Sequence, residues 1–156
     1  MFKQIDLYEF RYIGPIRPQT EADGTIKTFL PQTAFTKRPD LALHAYGTGP
    51  FCKFVIPKNL RESGVYAFTI ADEIMYIGEC VRFDSRFNVG YGQISPRNCY
   101  NGGQPTNCRI NNLVYQSAQA GKQVDLWFIA TPNYKIIEAN LISLLKPVWN
   151  RTIHRS

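Results

Sequence analysis

The sequence predicts a small α/β domain in which a short sheet, mixed or antiparallel, is built round a central β-hairpin and flanked by helices. Three observations predict it. Residues 64–70 (GVYAFTI) and 74–78 (IMYIG) are β-rich runs separated only by Ala71, Asp72 and Glu73, a short polar connection that reads as a hairpin. Ile110, Leu113, Val114 and Ala118, and again Ile137, Leu141, Leu144 and Leu145, recur at helical spacing. Between these two periodic segments lies a strongly apolar run at 124–130 (VDLWFIA), which reads as a strand. A chain of 156 residues is long enough to bury one core without metal or disulfide staples.

Taken in chain order, residues 4–13 (QIDLYEFRYI) alternate loosely and are rich in aromatics, as expected of a half-buried strand, and residues 51–56 (FCKFVI) read the same way. Between them, residues 14–50 carry five prolines and no sustained period, so this stretch is expected to be mostly loop. Loops of this length in a compact domain usually serve a function or are disordered, which makes it a candidate for contact with a macromolecular ligand or a second subunit. After the hairpin, residues 81–87 are expected to form two turns of helix, and residues 88–107 a glycine- and asparagine-rich loop. The next helix is expected to begin near Thr106 or Asn107, with Asn107 as its N-cap, and to stop at Gly121. Asn133 is positioned to cap the last helix and Pro147 to end it. No repeat or low-complexity tract interrupts this order.

Charge points to a polyanionic partner. Residues 1–84 carry ten basic and ten acidic side chains, whereas from Ser85 onward Arg86, Arg97, Arg109, Lys122, Lys135, Lys146, Arg151 and Arg155 face only Asp125 and Glu138. Such an asymmetry is expected of a surface that meets nucleic acid, although a basic half also serves solubility. No apolar run approaches the roughly 18 residues that a membrane span needs. Lys3, Asp6 and Glu9 break the basic-then-apolar order of a secretory signal, so the expected location is the cytoplasm. Cys52, Cys80, Cys99 and Cys108 form no CxxC pair, so reduced, buried thiols are expected. A metal site from Cys99, Cys108 and either His44 or His154 would lack the usual ligand spacing.

The tyrosines of Gly64-Val65-Tyr66 and Tyr76-Ile77-Gly78 fall on adjacent expected strands. Arg86 follows Tyr76 by ten residues, Glu138 lies on a later helix, and Asn150 follows Glu138 by twelve. In order and spacing these five points resemble the GIY-YIG nuclease superfamily. The resemblance covers residues 64–150 and makes 64–156 the nuclease core, with residues 1–63 a strand-and-loop arm for DNA contact or dimerisation. A second Tyr-Ile-Gly at 12–14 lacks the preceding strand and the following arginine. Taken singly, each residue has a plainer reading: strand tyrosines are usually core or rim, and helical arginines usually surface charge. Ordered together they carry more weight.

The chemistry has its own logic. Hydrolysis of a phosphodiester needs a deprotonated water, neutralisation of the phosphoryl oxygens and help for the departing oxygen. A phenol serves as general base only if its pKa falls from about 10 towards neutrality. Tyr66 is the candidate base, with Tyr76 as hydrogen-bond partner to phosphate or water. Arg86 presents the planar fork suited to phosphoryl oxygens. Glu138 is the single acidic residue after Asp125, and a hard cation such as Mg²⁺ needs at least one carboxylate while keeping oxygens of water or phosphate. The resemblance implies one divalent metal per site, Mg²⁺ with Mn²⁺ able to substitute, products with 5′-phosphates, and a supporting role for Asn150, which would hydrogen-bond loop backbone near the site.

Two departures from the family pattern stand out. Many relatives have a lysine three residues after the second tyrosine, where this chain has Glu79; Arg82, Glu79 itself, or the metal and phosphate alone would have to replace it. The His or Tyr expected four residues after the arginine falls on Gly90, with Tyr91 one position later. The segment 90–111 combines Arg97, Gln104, Asn107 and Arg109 with little apolar content, as suits phosphate contacts and base-edge reading. A compact core without a separate DNA-binding domain is expected to act as a restriction-type endonuclease on double-stranded DNA, as a two-fold homodimer. A structure-selective repair nuclease, a homing-type nuclease and a catalytically silent binding module are the alternatives.

Overall fold

The computed structural model describes residues 1–35 and 40–150; Arg151, His154 and Arg155 lie outside the described residues. Five strands form one sheet in the order β1-β2-β5-β3-β4: β1 (Phe2–Ile5), β2 (Tyr8–Ile16), β3 (Gly64–Ile70), β4 (Glu73–Cys80) and β5 (Val124–Ala130). The β1–β2, β3–β4 and β3–β5 pairings are antiparallel. Among the described residues, three α-helices complete the α/β fold: α1 (Phe83–Arg86), α2 (Pro105–Gln119) and α3 (Tyr134–Leu145).

The described residues group into two compact units, each assembled from separate stretches of chain. The first comprises Met1–Pro15, Asn59–Phe83 and the stretch from Gln123 onward; the second comprises Ile16–Lys58 and Asp84–Lys122.

In the first unit the central hairpin closes through Ala71 and Asp72, whose φ angles of 47° and 69° are the left-handed pair of a two-residue turn matched to strand twist. Ile70 pairs with Glu73, and a register shift between Phe68 and Thr69 lets Phe68 face Tyr76. Alternation then separates two faces. Val65, Ala67, Ile77 and Trp127 join Ile5 and Phe10 in one cluster, against which Ile137 and Leu141 of α3 are packed. Leu126 and Phe128 are also buried, on the alternate positions of β5.

In the second unit, residues 51–56 are buried at Phe51, Cys52, Phe54 and Ile56 but form no strand; only Phe51 makes an isolated bridge, with Phe29. The expected strand fails because its backbone partners are scattered, at Gln19, Phe29 and Gly92, and side-chain amides take the remaining places. Asn88 accepts from the Ile56 N–H and donates to the Ile56 carbonyl. Asn111, with no exposed surface, does the same to Cys52 and donates also to the Tyr91 carbonyl.

Other expectations shift in detail. Residues 4–13 form a hairpin rather than one strand. The helical segment after β4 starts at Phe83 and widens into a π-type turn at Phe87–Tyr91. α2 begins at Pro105, whose fixed φ suits the first helical position, so its N-cap is Gln104 and Asn107 lies inside the helix. Asn133 is the N-cap of α3, without a side-chain capping bond. Leu144 and Leu145 are 60% and 37% exposed rather than core, because the helix closes on a left-handed Lys146 and Pro147 and Trp149 are buried after it.

Candidate active site

Tyr66 and Tyr76 come together. They stand on adjacent strands with ring centroids 6.3 Å apart, and they are 1% and 8% exposed. Phe68 lies 5.8 Å from Tyr76 and 6.0 Å from Tyr66, and Phe83 lies 6.1 Å from Tyr66. Phe83 stacks at 4.0 Å on Phe128, so the two phenols are set in an aromatic layer on the sheet face opposite Val65, Ala67 and Ile77.

The two motif glycines have a packing reason. Gly78 is the cross-strand partner of Tyr66, and a Cβ at Gly78 would overlap the phenol ring itself. At Gly64 a Cβ would stand 2.7 Å from the tip of the Phe128 ring and collide with the Ile129 carbonyl. Each glycine therefore makes room for an aromatic side chain of the layer.

β4 ends the sheet on this side, and residues after α3 satisfy its outer edge. The Trp149 N–H donates to the Met75 carbonyl. The Asn150 side chain accepts from the Ile77 N–H and donates to the Ile77 carbonyl, both at 2.8 Å. Tyr76 is thus bracketed on both sides, and the Trp149 ring meets Phe68 edge-on at 6.1 Å. Asn150 holds strand backbone here rather than a loop. Trp149 went unnoticed in the sequence; an aromatic residue directly before the motif asparagine was the available signal.

Glu138 is half-buried on α3, next to the buried Ile137, and α3 packs against β3 and β4. Glu79, half-buried on β4, pairs with Val65, and Arg82 is exposed just before α1. Among the described residues no three His, Cys, Asp or Glu side chains cluster as a metal-binding group. A single carboxylate fits a hard cation that keeps most of its oxygen shell from water and phosphate, not a closed zinc site.

The second unit holds the remaining sequence-derived residues. Arg86 is half-buried at the end of α1, and Tyr91 is buried with its ring edge-on to Phe87 at 5.4 Å. Asn107 and Arg109 are half-buried on α2, and Gln104 is exposed at its N-cap. Arg97 is exposed, but its guanidinium donates to the carbonyls of Tyr100 and Asn101 and lies 5.9 Å over Phe35, so part of its donor set is spent on its own loop.

All four cysteines are buried and reduced. Burial pushes the Cys52 thiol up to about 12, against a smaller opposing effect of its backbone hydrogen bond. The Cys99 side chain and burial together hold the Cys108 thiol well above the ordinary cysteine range. His44 uses both ring nitrogens, one towards the Asn98 carbonyl and one accepting from the Tyr46 N–H, which leaves none for a metal with Cys99 and Cys108. No helix among the described residues is long and apolar enough to cross a membrane.

No protein-family model and no curated protein matches this chain. Among solved structures, that of a point mutant of bacteriophage T4 EndoII is similar at 21% identity and a TM-score of 0.46, over 71% of this chain and 87% of that one. A likeness at this level bears on neither activity nor site.

Proposed function

We propose that the chain is a metal-dependent DNA endonuclease of the GIY-YIG type. The observation that carries this reading is the hairpin: two buried phenols on adjacent strands, with motif glycines whose missing side chains admit Tyr66 and Phe128. Tyr66 takes the proton from the attacking water, and Tyr76 hydrogen-bonds the phosphate or that water. Arg86 neutralises charge that builds on the non-bridging oxygens. Asn150 and Trp149 hold the β4 edge on either side of Tyr76. Glu138 would hold one divalent cation, Mg²⁺ or Mn²⁺, which when bound would supply charge stabilisation at the departing 3′ oxygen, and the products would carry 5′-phosphates.

Within this activity we favour sequence-specific cleavage of double-stranded DNA by a homodimer, since one hydrolytic site per chain needs a symmetry mate to cut both strands. Arg82, Arg97, Gln104, Asn107 and Arg109 are the proposed substrate-side residues, Tyr91 is a proposed catalytic-site residue in place of the aromatic or histidine expected at Gly90, and residues 1–63 are the proposed arm. Mapping the ends made on plasmid and on branched DNA tests the assignment. Discrete bands from plasmid identify a recognition sequence. Cuts confined to branches overturn the restriction reading in favour of structure-selective repair. Glu79, in place of the family lysine, favours a second reading, a silent DNA-binding module. That reading predicts salt-sensitive binding with no cleavage in Mg²⁺ or Mn²⁺.

A further inference from the structure

The second unit contains a cavity of about 380 Å³, within the size range of small-ligand sites. Its floor is apolar and fixed: Phe51 and Ile94 are buried, and the Phe29–Phe51 bridge ties two of its walls together. Pro31 and Pro96 add flat apolar surface. Its polar lining has a different character. Gln93 and Ser95 are exposed and offer amide and hydroxyl groups. The Lys53 ammonium lies 4.2 Å from the centre of the Phe29 ring, and Lys27, outside the lining, lies 6.0 Å from the same ring. Among the described residues, the ion pair between Lys3 and Asp72 does not involve either lysine.

We propose that this cavity receives one unstacked base of a DNA strand, with Lys53 and Lys27 holding the phosphate beside it. The inference rests on the DNA-binding reading and deepens it. The half-buried Pro31 and Pro96 offer flat apolar surface to the face of any base. Gln93 and Ser95 supply donors and acceptors for a base edge, which a purely apolar ligand would leave unused. Two cations gathered on one aromatic ring match the anion that always accompanies a base in a strand. Extrusion costs stacking and pairing energy, so the pocket would favour sites where the duplex opens readily.

The test uses short duplexes carrying 2-aminopurine at one adenine position at a time, in EDTA, with the full-length protein, and plasmid cleavage in Mg²⁺ alongside. The wild-type protein should brighten one position several-fold. Ala34→Trp, which fills the cavity from an exposed wall position, should abolish the brightening while anisotropy shows that the duplex is still bound. Lys53→Ala, a smaller change, should reduce both the brightening and the affinity. Binding and cleavage with no brightened position, or equal brightening in wild type and Ala34→Trp, would overturn the pocket and leave the nuclease standing. Brightening without cleavage keeps the pocket and overturns the nuclease, and absence of DNA binding overturns both.

Discussion

At the scale of single residues, the candidate site depends on what glycines omit and on what asparagines complete. Gly78→Ala would push a methyl group into the Tyr66 ring and should destabilise the fold by about 1–3 kcal/mol, the usual cost of overpacking, read from the urea midpoint. Asn111→Ala removes three buried hydrogen bonds and strands the Cys52 N–H and two carbonyls, so it should cost at least about 3 kcal/mol, and Asn111→Asp, which keeps the shape but loses the donor, should not rescue it. Cys52 gives a sign for pH. Its thiol is neutral in the folded protein up to about 12, above its ordinary value of 9.0, so the folded state binds more protons between these limits and stability should fall as pH rises through them. Cys52→Ala should make that alkaline slope shallower without removing it, since the Cys108 thiol is raised as well, and an unchanged slope would mean that Cys52 does not contribute. The pairing of Tyr66 with Tyr76 on adjacent strands was legible in the sequence from residue type and spacing. Asn88 and Asn111 were not, because an amide that pairs with backbone far along the chain leaves no periodic trace.

At the scale of elements, legibility followed the pattern each element imposes on its own residues. The β3–β4 hairpin was legible because two β-rich runs flank a short polar connection, and β5 because its apolar run is bounded at both ends. Residues 51–56 have the composition of a strand but bond to scattered backbone at Gln19, Phe29 and Gly92 and to the side-chain amides of Asn88 and Asn111 instead of one ladder, so the local signal and the tertiary answer part. In α3, periodicity gave the buried face at Ile137 and Leu141 but not where the core stops; Pro147 and Trp149 are buried where Leu144 and Leu145 are not. The edge of β4 carries an element-scale prediction. Asn150→Ala should leave the Ile77 N–H and carbonyl unpaired, lower the melting temperature, and slow cleavage through a changed kcat with KM nearly constant, as loosening of Tyr76 requires. A change confined to KM would mean that Asn150 meets the substrate instead.

At the scale of the whole molecule, the first unit holds the paired tyrosines, Glu138 and Asn150, and the second holds Arg86 and most of the arginines and amides proposed to meet DNA. All four thiols are buried, so a thiol-reactive probe should modify none of them in the folded protein and all four after unfolding. Modification of a single thiol under native conditions would expose a local opening. Binding should weaken steeply with salt, as counterion release by a basic surface requires. The most direct measurement compares wild-type protein and Glu138→Ala on supercoiled and linear DNA in Mg²⁺ and in EDTA, with the product ends sequenced. The account predicts Mg²⁺-dependent products with 5′-phosphates, a loss of at least about a hundredfold in rate for the variant, and unchanged DNA affinity in EDTA. Cleavage that persists in EDTA, or at full rate in Glu138→Ala, would contradict it.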